Sequence, residues 1–305
     1  MRLTDWDSFS LCPKKALVSF ILCALMIFGV AVTVSANGTL PPPLTQKRLA
    51  QPPTLPSQVQ IAIIIDDIGY SWRQGADAAA LPGPVTLAII PHSPHGAKLA
   101  RAGHQQGKEI MLHVPMSNVL DKPLDAGALT EDMPYAMFMR TLHENLKAVP
   151  HVRGINNHMG SRLTQLKQPM RWLMETLKDQ HLYFVDSRTS PHSVAWKTAR
   201  ETHVPTLQRD YFLDNDVDLA SIAFQFGRFL QMAKRNGQGV AIAHPHPETI
   251  QVLRTAIPLL ERSGVRLVPV SDLLSAEDNP QTLIHMPSNT SIDGPQDYKS
   301  PFFTR

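Results

Sequence analysis

From about residue 59 to residue 275, short apolar runs alternate with longer stretches of helical periodicity. The first run, Ile61-Ala62-Ile63-Ile64-Ile65, is mostly β-branched and uncharged, so it reads as a strand buried on both faces. Similar runs predict strands at Val85–Ile90, Glu109–Val114, Val152–Ile155, Leu182–Val185, Gly239–Ala243 and Val265–Pro269. The stretches between them predict helices at Ala97–Gln106, Tyr135–Ala148, Pro169–Gln180, Val217–Arg235 and Glu248–Arg262. In Tyr135–Ala148, for example, Met137, Phe138, Leu142 and Leu146 fall on one face. Gly107 and Asn236-Gly237 supply stop signals. The alternation predicts an α/β domain with a mostly parallel sheet covered by helices. About seven strands favour a barrel over an open sheet.

The ends of the chain read differently. Arg2, Lys14 and Lys15 precede an uncharged apolar stretch, Ala16–Val34, which ends in the small-residue pattern Val34-Ser35-Ala36. Residues 1–36 therefore read as a signal peptide cleaved after Ala36, or as an uncleaved anchor through residues 16–34. Either way the rest is exported, which predicts a periplasmic location. Leu22 before Cys23 argues against a lipoprotein. Both cysteines, Cys12 and Cys23, lie in this segment. The mature chain then has no disulfide, and any metal site must use histidines and carboxylates. Residues 37–58 are a Pro-rich linker, 59–275 one domain, and 276–305 a polar tail that reads as disordered. The net charge of +3 comes with no basic stripe, which argues against nucleic acid as a partner.

A polar group follows almost every strand. Asp66 and Asp67 follow the first, the third carries His113 in Met111-Leu112-His113-Val114-Pro115-Met116, and Asn156, Asn157 and His158 follow the fourth. Asp186, Ser187 and Arg188 come next, and His244 follows Ala241-Ile242-Ala243. In a parallel α/β domain such positions converge on one face. Two adjacent carboxylates repel, so a cation or a shared proton is expected beside them. Two acids and two histidines there suit a divalent metal. Each residue also has a purely structural reading. Asp66-Asp67 could start a solvated loop, His113 could be a core histidine, and His158 and Asp186 could cap helices. It is their convergence that points to a site. His92 and His95 flank Pro94 and read as a solvated turn, while His246 between two prolines reads as loop rim. His143, His151, His181 and His203 read as surface, and Met133, Met137 and Met139 as packing.

Several segments together resemble a known family. They are Ile63-Ile64-Ile65-Asp66-Asp67-Ile68-Gly69, Leu87-Ala88-Ile89-Ile90-Pro91, Leu112-His113-Val114-Pro115-Met116, Asn157-His158-Met159-Gly160-Ser161, Val185-Asp186-Ser187-Arg188-Thr189, the run Arg209 to Asn215, and Ala243-His244-Pro245. In this order, from about Val59 to Leu274, they resemble the divergent polysaccharide deacetylases of the YibQ type, relatives of the NodB-type enzymes. The resemblance implies a distorted (β/α) barrel of about seven strands. It also implies an exported hydrolase that uses a divalent metal, Zn²⁺ first, to remove N-acetyl groups from an envelope glycan. On that pattern Asp66 is the base, Asp67 a metal ligand and His244 the acid. The better-known enzymes pair their metal histidines as His-x-x-x-His on one helix. Here Ser117 stands four residues after His113, so His158 is the candidate for the second histidine ligand. Asp186, Arg209 and Asp210 are expected behind these groups, an Asp orienting a ligand histidine or tuning His244 and the Arg pairing with it. Tyr70, Trp72 and Tyr211 are expected as sugar-stacking faces or rim packing. Membrane contact is expected only through an uncleaved N-terminal segment. Two other readings stay open: a catalytically silent barrel that binds glycan or a partner protein, and a hydrolase of another ester or amide.

Overall fold

A computed structural model describes residues 58–277. The N-terminal segment, nearly all of the Pro-rich linker and residues 278–305 lie outside the described residues. In chain order the elements are β1 (Val59–Ile68), α1 (Trp72–Ala79), β2 (Thr86–Ile89), α2 (Gly96–Gln105), β3 (Glu109–Met116), α3 (Tyr135–Ala148), β4 (Val152–Met159), α4 (Lys167–Asp179) and β5 (Tyr183–Asp186). Then follow α5 (Ala195–Glu201), β6 (Thr206–Gln208), β7 (Tyr211–Phe212), α6 (Leu219–Asn236), β8 (Gln238–Ala243), α7 (Pro247–Ala256), β9 (Val265–Leu267) and α8 (Val270–Glu277).

The sheet is nine-stranded and parallel, in the order β6-β5-β4-β3-β2-β1-β8-β7, with β9 beside the start of β1. Its two edge strands belong to one run of chain. Arg209 donates its backbone N–H to Asp186 on β5, and Asp210 donates to Val240 on β8, each at 2.9 Å. Residues 206–212 thus bridge the edges and curl the sheet. Counted as one strand, they complete a set of seven with β1 to β5 and β8; the seven expected from the sequence held β9 in their place, because 206–212 carries no apolar run.

Alternation along the strands sorts the core into two layers. Ile61, Ile63 and Ile65 of β1 pack outward with Leu87, Leu112, Phe138, Leu173 and Phe229 beneath the helices. Ala62 and Ile64 face inward with Ala88, Met111, Val185 and Ile242, and Val270, Leu273 and Leu274 of α8 join this inner cluster. Packing of this inner layer leaves the carboxyl ends of the strands as the polar face.

Several elements differ from the sequence expectation. Neither α1 nor α5 was expected, because their buried faces are small: Gly75, Ala78 and Ala79 in one, Ala195, Thr198 and Ala199 in the other. Neither gives the large apolar period that marks a helix. The helix expected to reach Arg262 ends at Ala256, and two short 3₁₀ turns continue it. Pro258 lacks the N–H that α-helix would need there. β1 and β4 run on past their apolar stretches to Ile68 and Met159, so the polar residues lie within the strand ends. The last helix continues to Glu277, past the expected boundary at 275.

Candidate metal centre

Adjacent strand residues normally face opposite sides of a sheet. Asp66 and Asp67 do not, because the β1–β2 register shifts between Ile65 and Ile68 and Asp67 takes a left-handed φ of 57°. The irregularity brings both carboxylates to His113, whose Nε2 is 3.6 Å from Asp66 Oδ2 and 3.2 Å from Asp67 Oδ1. Met159 and Arg188, at the ends of β4 and β5, are left-handed as well, with φ of 51° and 50°. Such a backbone costs about 1–2 kcal/mol per non-glycine residue. Three of them around one mouth mark where packing has been subordinated to a site.

Three potential ligand atoms converge there. His158 Nδ1 lies 2.9 Å from Asp67 Oδ1 and 3.2 Å from His113 Nε2. Each imidazole is fixed from behind. His113 Nδ1 donates to Asn156 Oδ1 at 2.7 Å, and His158 Nε2 faces Asp125 Oδ2 at 3.3 Å. Both rings thereby turn a lone pair inward when neutral. Asp67 Oδ1 is buried between them. Ligands about 2.0–2.1 Å from a tetrahedral zinc ion lie roughly 3.3–3.4 Å apart, close to the spacings here. Asp67, His113 and His158 form a donor set that fits a divalent ion of borderline hardness.

Burial opposes charge on Asp67, but His113 and His158 outweigh it and hold this carboxyl well below the usual range. Burial likewise opposes charge on His158, but Asp125 and Asp67 prevail and push it up to about 10. A proton on His158 thus supplies the positive charge that an ion would bring, and a metal would have to displace it.

Two further groups flank this cluster. Asp66 is buried, and burial raises its pKa despite nearby His113 and His244; its Oδ1 accepts from Asn156 at 2.8 Å. On the other side, His244 Nε2 stands 3.9 Å from Asp67 Oδ2. Its Nδ1 is 3.0 Å from Asp214 Oδ1, and Asp214 Oδ2 accepts from the His244 N–H at 2.6 Å and from Thr249 Oγ1 at 2.9 Å. Burial would lower the pKa of His244, but Asp214 outweighs it and carries the imidazole up to about 9. Phe212 stacks against the ring, 6.0 Å between centroids. Asp66, Asp67, His113, His158, Asp214 and His244 border a pocket of about 270 Å³ whose walls include Leu120, Met159, Phe212 and His246.

The structure brings together Asp66, Asp67, His113, His158 and His244. The carboxylates of Asp186 and Asp210 hold neighbouring backbone and loop groups. Asp186 accepts from the Arg188 N–H at 2.9 Å and Ser193 Oγ at 2.7 Å, so it holds its own loop. Asp210 accepts from the Val240 N–H at 2.8 Å and ties β7 to β8. The carboxylate behind His244 is Asp214, where one of those two was expected. Arg209 donates to the carbonyls of Ser187 and Arg188 and lies 3.8 Å from the centre of the Phe212 ring, so it acts on the pocket wall. Trp72 and Tyr211 do not line the pocket, and Tyr70 donates its hydroxyl to Asp125. Asn156, Asp125 and Asp214 are the site residues to which sequence reasoning gave no role.

A curled parallel sheet with acids and histidines gathered at its carboxyl ends defines the class of protein. The model of the divergent polysaccharide deacetylases matches residues 63–274, and the chain belongs to that family. It is 35% identical over 243 residues to the uncharacterised protein YibQ of Escherichia coli K12, covering 80% of this chain and 74% of YibQ. An uncharacterised protein of Haemophilus influenzae is likewise 35% identical over 243 residues, covering 78% of this chain and 86% of its own. Among solved structures, the uncharacterised protein ATU2773 of Agrobacterium tumefaciens C58 shares the fold, with a TM-score of 0.69 at 23% identity, over 73% of this chain and 92% of that one.

Proposed function

We propose that the domain is an exported, metal-dependent hydrolase that removes N-acetyl groups from a glycan of the cell envelope. One observation carries this reading. Three inward-facing ligand atoms meet beside a buried acid on one side and a carboxylate-held histidine on the other. Membership of the deacetylase family supports the glycan, and residues 1–36 support export.

Asp67, His113 and His158 would hold Zn²⁺ or a similar ion, leaving a position open toward the pocket. The ion supplies Lewis acidity toward an amide carbonyl and makes water more acidic. Asp66, with its raised pKa, takes the proton of the attacking water. Asn156 keeps that carboxylate turned toward the site. His244, protonated and steadied by Asp214, gives a proton from Nε2 to the leaving nitrogen as the C–N bond breaks. Water is consumed, and acetate and a free amine leave.

The test is acetate release from N-acetylated glycan fragments by zinc-loaded protein and its Asp66→Asn variant. Losing a positioned base is expected to cost roughly 10²- to 10⁴-fold in rate while zinc content stays unchanged. Full activity in the variant overturns the role of Asp66. Glycan binding by the zinc-loaded parent without acetate release supports the silent-barrel reading instead.

A further inference from the structure

We propose that Asp125 is a positioning residue of this centre: it fixes His158 and, with Tyr70, makes the 117–132 loop part of what holds the ion. The proposal rests on the metal reading above. Residues 117–132 connect β3 to α3 without a helix or strand of their own. Their ends are pinned. Ser117 donates its N–H to Leu129 and Leu129 donates its own to Pro115 along the end of β3, and Arg162 pairs with Asp121 at 2.7 Å and Glu131 at 3.0 Å. Between these anchors Val119, Leu120 and Leu124 are exposed, the Val119 N–H donates to Ser161 Oγ at 3.1 Å, and the loop meets His158 through Asp125.

One oxygen of Asp125 faces His158 Nε2, and the other accepts the hydroxyl of Tyr70, just past the end of β1. The carboxylate is therefore held from both sides. An imidazole presents either nitrogen to an ion, and the hydrogen bond on the other nitrogen decides which. With Nε2 committed to Asp125, His158 offers Nδ1 to Asp67 and His113. Outer carboxylates of this kind also make the ligand more basic. Coupling is reciprocal: whatever factor the seated loop adds to ion affinity, the ion adds to the seating of the loop.

The experiment uses the full chain and zinc as the probe. Zinc affinity is measured by competition with a chromophoric chelator, and hydrogen exchange is followed across residues 119–127. Asp125→Ala is expected to weaken zinc roughly 10- to 100-fold with the fold intact. Asp125→Asn, which keeps an acceptor for Nε2, should recover part of that loss, and Tyr70→Phe should lose less. Zinc should slow exchange over 119–127 in the parent, and much less in Asp125→Ala even at saturation. Zinc held by the parent, lost in His158→Ala and unchanged in Asp125→Ala overturns the proposal alone. So does equal slowing of the loop in parent and Asp125→Ala. No zinc in the parent, or equal zinc in parent and His158→Ala, overturns the metal reading, and the proposal with it.

Discussion

Asn156 joins the two halves of the centre, and its removal gives a prediction with a worked magnitude. It is fully buried on β4, donating to Asp66 Oδ1 at 2.8 Å and accepting from His113 Nδ1 at 2.7 Å. Asn156→Ala leaves Asp66 Oδ1 and the Nδ1–H of His113 buried without a hydrogen-bond partner. Each orphaned group costs about 1–3 kcal/mol, so the loss is about 2–6 kcal/mol. For a domain of this size each kcal/mol moves the melting temperature by about 2–4 °C, so the fall is on the order of 10 °C. The same change frees His113 to turn its ring, so zinc affinity should fall with stability. Asn156→Asp separates the effects. Its carboxylate still accepts from His113 but meets Asp66 with an oxygen in place of an NH₂ group. Two carboxylates at that distance cannot both be charged, so one proton is held between them. Zinc affinity should then stay nearer the parent's while Asp66 loses its capacity as a base. Thermal melts and chelator competition on both variants read the outcome. An alanine variant that melts within about 2 °C of the parent and binds zinc equally well would refute the reasoning.

Two further outcomes follow from Tyr183 beneath the same strand. A Cβ on Gly154 would overlap the Tyr183 ring, which is buried and bonded to Glu109 Oε1 at 2.8 Å. Gly154→Ala should therefore cost at least the roughly 1–3 kcal/mol of overpacking, measured by urea denaturation; a neutral result would mean that the ring has room to move. Burial, and then Glu109, raise the pKa of Tyr183 well above its ordinary value. The folded state then keeps a proton that the unfolded state loses above pH 10. Its contribution is complete below about pH 10 and declines above it by up to about 1.4 kcal/mol per pH unit. Urea denaturation between pH 9 and 11 should show a shallower decline in Tyr183→Phe; identical slopes would remove Tyr183 as the source.

What the sequence discloses about this site follows from how each residue is held. Asp66, Asp67, His113, His158 and His244 could be singled out because each lies at or near the end of an apolar run, and a parallel sheet brings the ends of such runs to one face. Asp214 could not be separated from Asp186 and Asp210 in this way. All three follow short strands, and the choice among them turns on pairing. Asp210 meets the start of β8 at Val240 and Asp214 its end at His244, both across thirty residues of chain. That register depends on β7, two residues long and without any pattern to predict it. Asp125 lies further out of reach. It stands 55 residues from Tyr70, in a connection with no period, and its partners are set by how the loop folds back. Groups proposed to meet the ion or the substrate sit on backbone that hydrophobic burial fixes locally. Those that orient them come from elsewhere in the chain, because the outer nitrogen of an inward-facing imidazole points away from its own strand.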